Sequence, residues 1–238
     1  MGYLFLGYDI IAYMDKYEIE VKSLLGDESM AQAFRKKMTE VEPNVESVSR
    51  HNQINHYFIN GDINLLHGKM LAHVPQEKHE SLRNIIIDGK NHSIRVRLAD
   101  EDLIFVVKSS IDDTTSDNGI SRLEFEHKIP HLTIDELDQV LFDAGFAYQA
   151  KWSREREEYK VGDINICLDK NAGYGYLAEF EAVVENTSEA EEAKERIYEL
   201  MERIGVEELN QERLARMFEY YNNNWKNYYG TDKVFILE

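Results

Sequence analysis

The sequence has little cysteine, little proline and few cationic residues, and each scarcity excludes a class of protein. Its single cysteine, Cys167, rules out an intramolecular disulfide framework and predicts a reducing, cytoplasmic location. Three prolines and 43% hydrophobic residues exclude a disordered or collagen-like chain. Only 27 Lys and Arg residues stand against 45 Asp and Glu residues, so the net charge is −18. This balance argues against a protein that binds a nucleic-acid backbone or an anionic membrane by bulk charge.

The sequence also lacks an interdomain linker and a long apolar segment. Residues 1–15 are mostly apolar but contain Asp9 and no Lys or Arg, so they match neither a secretory signal nor a membrane span. No stretch is rich in Pro, Gly and Ser. We therefore expect an N-terminal extension over residues 1–16, then a single domain over residues 17–238 with acidic C-terminal helices, and no membrane partner.

Charged and apolar residues alternate with a period of two in several segments, which is typical of β-strands with one charged face. The alternation predicts strands at residues 17–25, 94–98, 103–108, 122–126, 154–159, 163–169 and 178–182, with weaker signals at 52–59 and 65–71. Turn signals such as Asn60-Gly61 and Gly162-Asp163 lie between these segments, as hairpins require.

Capping residues predict the helices. Thr133 and Glu136 form a capping box, and Gly145 ends the helix that follows. Ser188 is expected to cap a helix over residues 189–204, and Asn210 is expected to cap the last helix. An earlier helix is expected at residues 27–38.

Like charges are paired within single predicted strands. The acidic pairs are Glu18 with Glu20 and Glu179 with Glu181, and the basic pairs are Arg95 with Arg97 and Arg154 with Arg156. Like charges on one strand face repel, so the pairs predict a cation between the acids and a polyanion between the arginines. If the strands close into a barrel, alternate residues line its bore. Carboxylate oxygens suit Mg²⁺ or Mn²⁺, and guanidinium groups suit phosphate, so we expect a metal–polyphosphate complex in a wet tunnel.

The order of these motifs resembles that of the CYTH superfamily, also called the triphosphate tunnel metalloenzymes. The matching motifs are E-x-E-x-K at 18–22, R-x-R at 95–97, Lys108, R-x-E-x-E at 122–126, R-x-R-x-x-Y at 154–159, C-L-D at 167–169, a Gly-x-Gly turn at 173–175 and E-x-E at 179–181. The resemblance implies an α+β fold, in which an eight-stranded antiparallel β-barrel forms a triphosphate tunnel with helices packed outside. Family members include triphosphatases and class IV adenylyl cyclases.

The charge pattern and this resemblance together give three overlapping sets of candidate site residues. The expected metal ligands are Glu18, Glu20, Glu124, Glu126, Asp169, Glu179 and Glu181. The expected phosphate ligands are Lys22, Arg95, Arg97, Lys108, Arg122, Arg154 and Arg156. The expected catalytic residues are Glu20, Lys22 and Glu126. Alternatively, Glu124 and Glu126 hold tunnel arginines in place, and Asp169 caps a turn.

The leading functional hypothesis is Mg²⁺- or Mn²⁺-dependent hydrolysis of inorganic triphosphate or a small organic triphosphate. One alternative is a class IV adenylyl cyclase, which converts ATP to cyclic AMP and pyrophosphate. The other is a protein that binds a polyphosphate or nucleotide without catalysis. In each case the partner is a small-molecule triphosphate.

Three further features depart from this pattern or stay outside it. Residues 63–91 form an insertion, and its His67, His73 and His79 lack the spacing of a recognised metal site, so a surface role is expected. Cys167 alternates with apolar residues and is expected to be a buried structural thiol. The aromatic tail, which includes Tyr229, could stack on bases, but it is expected instead to pack with the last helix or to form a subunit contact, as in a homodimer.

Overall fold

The computed structural model describes residues 17–87, 89–110 and 122–237. The N-terminal extension over residues 1–16 therefore lies outside the described residues. The strands are β1 (Tyr17–Gly26), β2 (Glu46–Ile59), β3 (Lys90–Ala99), β4 (Asp102–Ser110), β5 (Arg122–Lys128), β6 (Ala147–Val161), β7 (Ile164–Asn171) and β8 (Gly175–Val184). Every predicted strand except 65–71 coincides with one of them, which confirms the period-two reading of the sequence.

The eight strands form one antiparallel sheet in the order β1-β8-β7-β6-β2-β3-β4-β5. The sheet is strongly curled and resembles a tunnel, as the α+β prediction requires. Within the described residues, β1 and β5 are not joined by backbone hydrogen bonds, so a seam separates the two edges of the barrel. Ion pairs cross this seam, because Lys108 Nζ lies 3.0 Å from Glu18 Oε2 on β1 and 3.0 Å from Glu124 Oε2 on β5.

Six α-helices occur in the described part of the chain. They are α1 (Glu28–Val41), α2 (Ile63–Met70), α3 (His79–Ile87), α4 (Ile134–Phe142), α5 (Ala190–Ile204) and α6 (Gln211–Asn224). Each helix in these ranges is too short or too polar to cross a lipid bilayer.

Two of the predicted helix caps are confirmed and two predictions are wrong. Thr133 and Glu136 form the capping box of α4, and the Asn210 side chain accepts a hydrogen bond from the backbone of α6. Ser188 does not cap α5, because a 3₁₀ turn over Thr187–Glu189 precedes that helix. The segment 65–71 lies in α2 rather than in a strand, because the Asp62 carboxylate caps a helix that begins at Ile63.

Apolar residues of the strands pack outward against the helices. Val21 and Phe180 meet α1 and α5 in one core cluster, while Phe105 meets α2, α3 and α4 in a second. Because side chains alternate between the faces of a strand, covering the convex face leaves the charged residues on the concave face. The helices thus determine which face of the sheet is available for a polar site.

Candidate functional site

The candidate site lies on the concave face, which the cross-strand register defines. Glu20 pairs with Glu181, and Lys22 pairs with Glu179, between β1 and β8. Residues directly opposite each other on antiparallel strands share a face. When the register is followed from each strand to its neighbour, every predicted site residue with a described side chain lies on the concave face. The shared face that the charge pattern predicts is therefore present.

The concave face encloses a cavity of about 330 Å³. The predicted residues that line it are Glu18, Glu20, Lys22, Arg95, Arg97, Lys108, Arg154, Arg156, Glu179 and Glu181. Glu124, Glu126 and Asp169 are not among the lining residues, but each contacts an arginine that is. Arg122 is the first residue of β5, and its side chain lies outside the described residues.

Three carboxylates form an acidic corner, which we define as Glu18, Glu20 and Glu181. Burial and the neighbouring charges of Glu18 and Glu20 raise the pKa of Glu181 to about 8. Three crowded carboxylates gain from a shared cation, and their oxygens are the ligands that Mg²⁺ and Mn²⁺ prefer. In the described residues, however, no three His, Cys, Asp or Glu side chains form a ready metal-binding group. The corner thus fits a hard cation by the chemistry of its donors.

Two lysines connect the acidic corner to the rest of the cavity. Lys22 Nζ contacts the Glu20 carboxylate and lies 3.6 Å from Glu179 Oε1. Burial opposes its charge, but Glu20 and Glu179 raise the pKa of Lys22 above its ordinary value. Lys108 makes the equivalent contacts with Glu18 and Glu124. Both lysines are therefore cationic at the border between the acids and the arginines.

Arg95 and Arg97 of β3 are only partly neutralised. Arg95 Nη1 donates to the Tyr57 hydroxyl at 3.0 Å, and its nearest carboxylate contact is Glu124 at 3.8 Å. Arg95 is 9% exposed, and its buried Nε has no hydrogen-bond partner among the described residues. Burial and the neighbouring Arg95 charge lower the pKa of Arg97. These guanidinium groups thus form a cationic wall in which Arg95 Nε is an unsatisfied donor, and this wall suits an anionic ligand.

Arg154 and Arg156 of β6 are held by a buried carboxylate. Asp169 is fully buried; Arg154 Nη1 donates to its Oδ2 at 2.7 Å, and Arg156 Nε donates to its Oδ1 at 2.7 Å. Arg156 Nη2 also donates to Asp169 Oδ2 at 2.6 Å and to Glu179 Oε2 at 2.5 Å. Burial opposes the charge of Arg156, but Asp169 and Glu179 raise its pKa well above its ordinary value. Asp169 thus binds two arginines and does not cap a turn.

The cavity has further lining residues that the sequence analysis did not identify. Asn55 and Tyr57 lie on β2, where Asn55 Oδ1 accepts a hydrogen bond from Arg97 Nε at 3.1 Å. Although burial opposes it, the charges of Arg95, Arg154 and Arg97 lower the pKa of Tyr57. Asn55 and Tyr57 alternate with Ile54, His56 and Phe58, so the pattern was a weak signal, and Asn and Tyr carry no formal charge that marks a face.

Helix α6 closes one end of the cavity. Phe218 and Asn222 of α6 line the cavity together with Trp152 and Tyr174. Trp152 also stacks on Tyr221 with ring centroids 3.9 Å apart, so an aromatic cluster holds the helix against the sheet. The aromatic tail therefore packs within the chain, as one of the two sequence alternatives expects.

Comparisons with known proteins agree with this architecture. The CYTH domain family model matches residues 66–215, which is more than half of the chain. No curated protein matches the sequence. A solved structure from Pyrococcus horikoshii OT3 is similar, with a TM-score of 0.58, 20% identity, and 85% of this chain and 98% of that chain covered.

Two other solved structures are similar to the same extent. A conserved hypothetical protein from Pyrococcus furiosus gives a TM-score of 0.56 at 21% identity, covering 82% of this chain and 98% of its own. A protein from Vibrio parahaemolyticus, designated a candidate adenylate cyclase, gives a TM-score of 0.55 at 15% identity, covering 82% and 93%. At these identities the structures show a shared fold.

Proposed function

The chain belongs to the CYTH domain family, and we propose that it hydrolyses inorganic triphosphate or a small organic triphosphate with the help of Mg²⁺ or Mn²⁺. One observation supports this proposal most. The acidic corner and the arginines of β3 and β6 line the same cavity of about 330 Å³. A metal-bound polyphosphate needs carboxylate oxygens for its cation and cationic groups for its phosphates within one polar cavity, and this arrangement provides both.

The phosphate ligands that we propose are Lys22, Arg95, Arg97, Lys108, Arg122 and Arg154. Arg95 supports this assignment best, because its buried Nε has no partner among the described residues. A buried, unsatisfied guanidinium donor is costly unless an anion binds there. Arg156 is not among the proposed phosphate ligands, because its Nε and Nη2 already donate hydrogen bonds to Asp169.

Glu18, Glu20 and Glu181 are the residues that we propose to hold the divalent cation, whose chemistry is to polarise phosphate oxygens. Glu179 and Asp169 are proposed as anchors of Arg156, because their carboxylates already bind it. Glu124 and Glu126 are proposed as anchors of Lys108 and Arg97, because each makes such a contact and neither lines the cavity.

The proposed reaction needs no side-chain nucleophile. A water oxygen attacks the terminal phosphorus, the bridging P–O bond breaks, and negative charge develops on the leaving phosphate. Arg95 and Arg97 neutralise that charge from the cationic wall. Glu20 is the proposed proton acceptor, because it lines the cavity whereas Glu126 does not. Lys22 contacts Glu20 and orients its carboxylate.

The proposal is tested by measuring phosphate release from a panel of triphosphates with Mg²⁺ and with Mn²⁺. We expect turnover by the native protein and a loss of at least about 100-fold in Glu20→Gln. Glu155→Gln is the matched control, because Glu155 lies on β6 and pairs with Lys170 on the convex face. Equal turnover by native protein and Glu20→Gln contradicts the assignment of Glu20.

The same assay separates the alternatives. Cyclic AMP and pyrophosphate from ATP, without released orthophosphate, identify a cyclase and contradict hydrolysis. Tight triphosphate binding with no product under either metal identifies a non-catalytic binder. Absence of triphosphate binding contradicts the assignment of the cavity as a phosphate site.

We also propose a cytoplasmic location for the enzyme. The thiol of Cys167 is buried, and burial raises its pKa to about 12. A buried, protonated thiol is inert and stays compatible with a reducing compartment.

A further inference from the structure

Two histidines outside the tunnel meet at close range. His73 follows α2 and His131 lies between β5 and α4, so they are 58 residues apart in sequence, and His73 Nδ1 is 3.0 Å from His131 Nε2. Their ring planes differ by 19° and the ring centroids are 5.2 Å apart. His73 is half-buried and His131 is exposed. Solvent therefore reaches the point where the two nitrogens meet.

We infer that His73 and His131 form a transition-metal site that binds Zn²⁺, Ni²⁺ or Cu²⁺ through their facing imidazole nitrogens. Two nitrogens bound to one tetrahedral Zn²⁺ at about 2.0–2.1 Å lie about 3.3 Å apart. Two adjacent nitrogens of a square-planar Cu²⁺ site lie roughly 2.9 Å apart. The observed separation of 3.0 Å, at which one ring nitrogen donates a hydrogen bond to the other, falls between these values. Metal binding would replace the shared proton of this hydrogen bond.

The two rings are held by well-defined backbone. The His73 N–H donates to the Met70 carbonyl at the end of α2. His131 lies two residues before Thr133, whose capping box fixes the start of α4. A chelating pair on fixed supports loses less side-chain entropy on binding than a pair on mobile loops.

This site differs from the acidic corner in chemistry and in place. Imidazole nitrogen is a borderline ligand that prefers Cu²⁺, Ni²⁺ and Zn²⁺, whereas the corner offers only carboxylate oxygen. No third His, Cys, Asp or Glu joins the pair to form a metal-binding group in the described residues, so the remaining ligands would have to come from solvent. A bound metal would join the segment after α2 to the loop before α4, so it should stabilise the fold.

The test uses Cu²⁺ as a spectroscopic probe on the full-length protein in excess Mg²⁺, which occupies oxygen sites. We expect an electron paramagnetic resonance spectrum with superhyperfine coupling from two imidazole nitrogens. His73→Ala and His131→Ala should each lose one nitrogen and weaken Cu²⁺ binding at least 10-fold. His92→Ala is the matched control, because His92 Nε2 instead contacts the Ile85 carbonyl, and it should keep the native spectrum.

A second measurement keeps the inference testable if a variant folds poorly. Zn²⁺ should raise the melting temperature of the native protein in excess Mg²⁺, and His131→Gln should abolish that rise while its own metal-free melting temperature reports on folding. A native Cu²⁺ spectrum without nitrogen coupling, or one that His73→Ala and His131→Ala leave unchanged, overturns the proposed site. The result does not depend on whether the tunnel hydrolyses triphosphate.

Discussion

The two arginine pairs of the tunnel have the same sequence pattern and opposite surroundings. Arg95 and Arg97 on β3 contact a tyrosine, an asparagine and two partly exposed glutamates, and Arg95 keeps a buried nitrogen with no hydrogen-bond partner among the described residues. Arg154 and Arg156 on β6 share the fully buried Asp169. Burial and the Arg95 charge lower the pKa of Arg97, whereas the pKa of Arg95 is raised because Tyr57 and Glu124 outweigh its burial. Asp169 and Glu179 raise the pKa of Arg156 well above its ordinary value despite its burial.

This difference separates groups that bind a ligand from groups that hold the site together. A guanidinium with unsatisfied donors gains from an incoming phosphate, while a guanidinium bound to a buried carboxylate already has its counterion. We therefore expect substitutions on β3 to affect catalysis more than folding, and substitutions at Arg156 to affect folding first. Each prediction below is designed to break or sharpen that distinction.

The largest effect is expected for Arg156→Leu, with a loss of about 3–5 kcal/mol in the free energy of unfolding. The substitution removes the two Arg156 hydrogen bonds to the fully buried Asp169 and the Arg156 contact with Glu179, and it leaves Arg154 Nη1 as the remaining guanidinium donor to Asp169. Urea denaturation at neutral pH measures the loss.

Adding Asp169→Asn to Arg156→Leu provides the control for this prediction. If the two residues act as a pair, the double variant should lose about 0.5–3 kcal/mol less unfolding free energy than the two single losses added together. Strictly additive losses would show that Arg156 and Asp169 act independently, which removes the basis for the comparison.

Arg95→Ala should show the converse behaviour, with kcat/KM for triphosphate lowered by about 100- to 1,000-fold and stability nearly unchanged. Removing Arg95 deletes a donor to phosphate, and it leaves no buried carboxylate unpaired because its contact with Glu124 is 3.8 Å long. Arg50→Ala on the exposed side of β2 is the control and should retain activity. A large loss of stability with normal turnover in Arg95→Ala would reverse the assignment.

Much of the site was predictable because its residues carry formal charge on alternate positions. Sorting Glu18, Glu20, Arg95 and Arg97 to one strand face needs only the period of two, and the cores on the other face confirm it. The pairing of Asp169 with Arg154 and Arg156 was not predictable, because it depends on the register of β6 with β7. Sequence periodicity gives the face of a residue but not its neighbour on the next strand.

Two further features escaped the sequence analysis, one for a local reason and one for a tertiary reason. The apolar run at 65–71 is too short for its periodicity to separate strand from helix, and the Asp62 cap decides in favour of α2. The closure of the cavity by Phe218 was missed because it depends on tertiary packing against Trp152. Nothing in the spacing of α6 identifies the surface that the helix covers.

Glu179→Gln tests the β6 side of the comparison through pH. Burial raises the pKa of Glu179, but Lys22, Arg156 and Arg154 outweigh it and hold that pKa well below the ordinary value. A carboxylate whose pKa is lower in the folded state than in the unfolded state stabilises the fold. This stabilisation is complete above the pKa of the unfolded state, near 4.5, and it is lost as the pH falls through the pKa of the folded state. We expect Glu179→Gln to cost about 1–3 kcal/mol at pH 7.

Unfolding curves recorded from pH 8 downward check this expectation. The stability difference between the native protein and Glu179→Gln should be constant above about pH 5.5 and should shrink below about pH 4. A difference that grows toward acid pH would mean that the glutamate is not held ionised by its cationic neighbours.

The smallest effect is expected for Glu126→Gln, on the β3 side of the comparison. Arg97 Nη1 lies 2.8 Å from Glu126 Oε1, but the Glu126 side chain is 40% exposed, so losing this ion pair should cost less than about 1 kcal/mol of stability. If Glu126 only positions Arg97, KM for triphosphate should rise a few-fold while kcat is retained. Steady-state kinetics separate this role from proton transfer, because a general base would lower kcat about 100-fold or more with little change in KM. That second outcome would move Glu126 from the support of the cationic wall into the reaction itself.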